Sequence, residues 1–135
     1  MSVPPKDSRF RSMIAFHTVT SVTELVAGAS LLCLPSTALR ALVGVLIDAP
    51  IPLTVARVAG AGLLSLGIAC WLARDDVKSC SAKGLVAAML VYDLLVPAIL
   101  AYAGLGAGLK GVALWPAVVL HLAMSAWAIV CLNRR

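Results

Sequence analysis

The stretch MIAFHTVTSVTELVAGASLLCL, residues 13–34, decides how the rest of the chain is read. It is long enough to cross a bilayer, since about 20 mostly apolar residues span about 30 Å of hydrocarbon. Yet Glu24 stands at its centre. A charged side chain at that depth costs about 2.5 to 3.5 kcal/mol against lipid, so the acid is expected to face a protein interior. His17, Ser21, Glu24 and Gly28 follow one another at helical spacing and share one face. The stretch therefore predicts a membrane helix with a polar stripe turned into a bundle.

Three more apolar runs supply that bundle, at residues 53–73, 84–103 and 112–132. Each brings a polar side chain able to meet Glu24: Arg57 in the second run, Asp93 in the third and His121 in the fourth. Counted from the helix ends, Glu24, Asp93 and His121 fall at nearly one depth. The predicted fold is all-α, an integral membrane four-helix bundle over residues 13–132, with a polar tail at 1–12 and a short end at 133–135. Composition agrees. Of 135 residues, 61% are hydrophobic and 13% charged, and mean hydropathy is +1.01, whereas soluble domains are about half apolar. The spans use up most of the chain and leave no sizeable soluble portion.

The first run is longer than the roughly 7 to 15 residues of a signal-peptide core, and further spans follow it, so it is read as a mature helix. Bulky Leu31 and Leu32 before Cys33 argue against a lipoprotein cleavage site.

The net charge of +5 is distributed at helix ends. Lys6, Arg9, Arg11, Arg74, Lys78, Lys83, Arg134 and Arg135 fall on one side if the helices alternate, leaving Arg40 and Lys110 in the other two loops. The excess of basic residues predicts cytoplasmic termini. Without a basic face interleaved with aromatics, nucleic acid is not an expected partner. Cys33, Cys70, Cys80 and Cys131 form neither a CxxC pair nor a zinc-spaced cluster and are read as small apolar fillers.

Between the first two spans, Pro35 ends a helix and Ser36 is a candidate N-cap for a short element over residues 37–48. Leu39, Leu42, Val43, Leu46 and Ile47 line one side and Arg40, Gly44 and Asp48 the other, predicting an amphipathic interfacial helix. In the second span Ala61, Ser65, Ala69 and Ala73 repeat every four residues beside Gly60, Gly62 and Gly67. Such stripes permit close helix approach and are read as packing within the bundle in preference to dimerisation. Arg57 either snorkels to the headgroups or turns inward to compensate an acid. In the third span Tyr92 adjoins Asp93, and Pro97 frees the Asp93 carbonyl and predicts a kink. The loop GLGAGLKG, residues 104–111, lacks the Gly-Lys-Ser/Thr order and the preceding strand of a phosphate cradle. In the fourth span His121 shares its face with Ala117, Ser125 and Ala128.

The polar centre is thus Glu24, Arg57, Asp93 and His121, flanked by His17, Ser21, Tyr92 and Ser125. No nucleophile motif with a base accompanies it, so an enzyme is not expected. The expected function is a non-enzymatic membrane protein, an accessory subunit of a larger complex, a homo-oligomer or a small binding module. A polar knot that only fixes helix register is the structural alternative, and a proton-coupled small-molecule transporter is the functional one, ahead of a haem-associated redox membrane protein. Haem is not expected, because His17 and His121 differ in depth, and no metal is, because the Glu-x-x-His spacing of di-iron bundles is missing.

The segments HTVTSVTELVAGASLLCLP (17–35), ARVAGAGLLSLGIACWLARDD (56–76) and LAYAGLGAGLKGVALWPAVVLH (100–121) resemble small, mostly uncharacterised bacterial inner-membrane proteins, loosely the DoxX-like four-helix group. The similarity covers nearly the whole chain in layout. It implies a bacterial inner-membrane location and a loose link to redox or quinone-associated partners, without assigning a role to any residue.

Overall fold

The computed structural model describes residues 6–133, with backbone alone for residues 6–9. The outermost parts of the two predicted tails, residues 1–5 and 134–135, lie outside the described residues. Five helices follow in order: α1 (Lys6–Cys33), α2 (Pro35–Val43), α3 (Pro50–Ala73), α4 (Cys80–Leu105) and α5 (Leu114–Asn133). All but α2 are long and apolar enough to cross a membrane. The chain is a multi-pass, all-α membrane protein.

Helix α1 begins well before residue 13, within the segment read as a tail. Nothing in KDSRFRS breaks a helix, and Ser12 is held by the bundle, accepting a 3.0 Å hydrogen bond from Trp127 Nε1 on α5. Helix α2 is displaced from its expected bounds. It starts at Pro35, whose missing N–H is no loss in a first turn. It stops at Gly44, whose φ of 85° is the left-handed conformation that favours glycine at a helix end. Leu39, Leu42 and Val43 are half-buried and Arg40 is exposed, so the amphipathic pattern places α2 across the bundle mouth as expected.

Around the bundle the order is α1, α3, α4, α5, and the helices associate as two close pairs, α1 with α3 and α4 with α5. Contacts between the pairs are sparser. The first pair meets backbone to backbone. A Cβ on Gly28 would lie 2.7 Å from the Gly60 carbonyl oxygen, and one on Gly60 would lie 2.7 Å from that of Gly28. Gly67 likewise sits under Leu25. Ser21 Oγ donates a 2.8 Å hydrogen bond to the Gly67 carbonyl. Lipid offers no hydrophobic drive between helices, so such close approach is the available means of association.

The stripe on α3 that packs differs from the one expected to. Ala56, Gly60, Gly67 and Cys70 are buried, whereas Ala61, Ser65 and Ala69 are exposed. Both faces of α3 are small, and the one that packs carries glycines where the α1 backbone comes nearest, at Leu25, Gly28 and Leu32. Large apolar side chains such as Val26, Val58, Leu72 and Ile99 cover the outside, as lipid contact requires.

Helix α4 is capped by Ser79, whose Oγ accepts from Ala82 N at 3.0 Å. It continues through Pro97, which is buried. The end of the bundle bearing the termini is filled by an apolar core including Met13, Phe16, Val77, Val86, Met89 and Cys131. Phe16 meets Trp127 edge to face, ring centres 5.8 Å apart.

Candidate functional site

Within this frame the polar residues of α1, α4 and α5 converge on the seam between the two helix pairs. Asp93 is 2% exposed, and its Oδ1 lies 2.7 Å from His121 Nδ1. With Asp93 ionised, Nδ1–H is the donor and the bond is charge-assisted. Tyr92 stands edge to face against the same imidazole, ring centres 5.5 Å apart, and so fixes its plane from the side. Glu24, on α1, is 3% exposed and lies close enough to His121 and Asp93 to interact with both electrostatically. Of the three groups expected at one depth, Asp93 and His121 are thus in direct contact, with Glu24 within electrostatic reach of both.

Beneath this layer, toward the terminal end, the buried polar side chains continue. One helical turn below Glu24 are Thr20 and Ser21 on α1, and one turn below His121 is Ser125 on α5. His17, wholly buried, lies a further turn down. On the opposite side of the Glu24 layer the buried residues are apolar, among them Gly28, Pro97, Leu114 and Val118. Among the described residues, the polar column therefore extends from mid-bundle toward one end only.

Most of this column lacks partners. Both ring nitrogens of His17, Thr20 Oγ1, Asp93 Oδ2 and Ser125 Oγ are buried and make no hydrogen bond. Buried polar atoms in native proteins are paired in the large majority of cases, because an orphan forfeits about 1 to 3 kcal/mol of solvation. Ser21 is satisfied through Gly67, and Asp93 Oδ1 through His121. Thr20 has no charge to mark it in the sequence, although its spacing of four from both Phe16 and Glu24 places it on the same face.

Arg57 does not join the centre. It is exposed, on α3 next to the buried residue Ala56 and so about 100° round the helix from the stripe that packs against α1. No ion pair or hydrogen bond among the described residues includes it. Its position near the start of α3 suits a side chain reaching outward to headgroups.

Among the described residues, no group of three or more His, Cys, Asp and Glu side chains is placed to hold a metal ion. Comparisons of the chain with protein-family models, with curated proteins and with solved structures give no match.

Proposed function

We propose that this chain is a non-enzymatic intramembrane binding module of the bacterial inner membrane, with cytoplasmic termini. Its ligand is a small hydrogen-bonding molecule, or the polar end of an amphipathic one, held between the α1/α3 and α4/α5 pairs. One observation carries the reading: unpartnered polar atoms on three helices, His17, Thr20, Asp93 and Ser125, face a common seam beside Glu24. A knot serving only helix register would be expected to satisfy its own atoms. A transporter would need the acids to be reached from both sides, whereas the buried polar residues lie to one side of them. Intramembrane ionisable groups commonly mark binding or proton pathways. Orientation is supported by the basic residues Arg74, Lys78 and Lys83 at the terminal end.

The test is native mass spectrometry of the full chain in mild detergent, for the wild type, Glu24→Gln and Asp93→Asn. The expected result is a bound small molecule on the wild type that is lost from both variants while the fold, followed by circular dichroism, persists. Identical ligand-free spectra for all three would overturn the reading and return the column to the scaffold.

A further inference from the structure

At the end of the bundle opposite the termini, a second site lies apart from the polar column. The loop before α5 docks on the C-terminal end of α2 by backbone contact. Ala113 N donates to the Ala41 carbonyl at 2.8 Å, Gly111 fits directly beneath the Leu42 carbonyl, and Gly44 abuts the Lys110 backbone. This docking brings Lys110 to Arg40, residues far apart in sequence, around one pocket of about 500 Å³ that Thr37 also lines. A helix C-terminus favours one basic side chain. Two cations sharing a pocket repel one another, and among the described residues neither has a carboxylate within ion-pair distance, Asp48 at the same end included.

Continuous with this pocket through Thr37 and Ala41 is an apolar groove of about 380 Å³ between α1 and α2. It descends from Leu34 past Leu31 to Ala27, toward mid-membrane. Ser30, its other polar wall residue, has its hydroxyl bonded to the Val26 carbonyl of its own helix at 2.7 Å, so the groove presents no free donor there. A positive pocket at the interface opening onto an apolar groove that runs inward matches the two parts of a phospholipid.

We propose that this is a binding site for an anionic phospholipid, its phosphate between Arg40 and Lys110 and one acyl chain in the α1/α2 groove. The charges supply the preference for an anionic headgroup, and the groove supplies the preference for a lipid over a free anion.

The test titrates the detergent-purified full chain with phosphatidylglycerol or phosphatidylcholine and reads bound lipid by native mass spectrometry. A basic side chain near anionic lipid is worth about fivefold in binding, so the pair predicts a preference for phosphatidylglycerol of about thirtyfold. Arg40→Gln with Lys110→Gln should abolish that preference, whereas Arg74→Gln with Lys83→Gln, at the other end, should leave it intact. Ala38→Leu, which narrows the groove and keeps both charges, should weaken retention severalfold, and millimolar inorganic phosphate should leave the lipid bound. Equal retention of the two lipids, or equal loss in the opposite-end variant, would overturn the site. Displacement by inorganic phosphate would overturn the lipid as its occupant.

Discussion

The two helix pairs are held by different means. Between α1 and α3 the backbones touch at Gly28 and Gly60, and the bond from Ser21 to the Gly67 carbonyl adds to a fit determined by shape. Between α4 and α5 the contact is made by side chains: the Asp93–His121 bond, Tyr92 against the imidazole, and buried Met89 and Met124. A glycine seam has one register and little give, whereas methionines and a hydrogen-bonded pair can adjust. The polar atoms without partners lie where the rigid pair faces the adjustable one. A ligand entering there would be received by a fixed wall bearing Glu24, Thr20 and His17 and a movable wall bearing Asp93 and Ser125.

Substitutions can break that contrast. The largest effect is expected from Gly60→Val. Its Cβ alone would stand 2.7 Å from a backbone oxygen that no rotamer change can move, so the loss should reach about 3 kcal/mol or more. Equilibrium unfolding in mixed micelles measures it, and a loss under about 1 kcal/mol would show that α1 and α3 are not wedged together. Next comes Asp93→Ala, which strands His121 and is expected to cost about 1 to 3 kcal/mol. In a double-mutant cycle with His121→Ala, the coupling should fall near 0.6 to about 1.7 kcal/mol, the range for membrane-interior hydrogen bonds. Zero coupling would mean that the 2.7 Å contact does not join the pair energetically. Ser21→Ala, removing the bond to Gly67, should cost about 0.6 kcal/mol. The smallest effect is expected at Gly62, where an added Cβ meets nothing within 4 Å. Gly62→Ala should be neutral or gain up to about 1 kcal/mol from helix propensity, and a clear loss there would reveal a partner on the outer face of α3.

Much of this arrangement is legible in the sequence because a charge within an apolar run is a strong mark. Glu24 and Asp93 are each the sole acid of a span and His121 the sole histidine of another, and depth counted from the helix ends suffices to place them in one layer. The face of α3 is not legible in the same way. Lipid and protein interior are both apolar, so a membrane helix has no polar side from which to read its buried side. The alternative small stripes of α3 differ only in where glycine meets the backbone of α1, which no periodicity records. Arg57 misleads for a related reason, since a residue one position from a buried alanine points well away from it. The start of α2 is set by Pro35 and its end by Gly44, signals that outweigh the hydrophobic pattern running on to Ile47. The meeting of Lys110 with Arg40 depends on loop docking and has no sequence signature.

The pairing also has a consequence in time. Each close pair is contiguous along the chain, with α1 and α3 joined through α2 and α4 leading directly to α5. During synthesis the glycine seam can close as soon as α3 has entered the bilayer, before α4 exists, and domains and subdomains generally form in that vectorial order. For that interval Glu24 would have no Asp93 or His121 beside it, so the nascent α1/α3 hairpin must pass through a stage with a lone acid in the membrane. The arrival of α4 and α5 ends it, making the polar column the last surface of the protein to be enclosed.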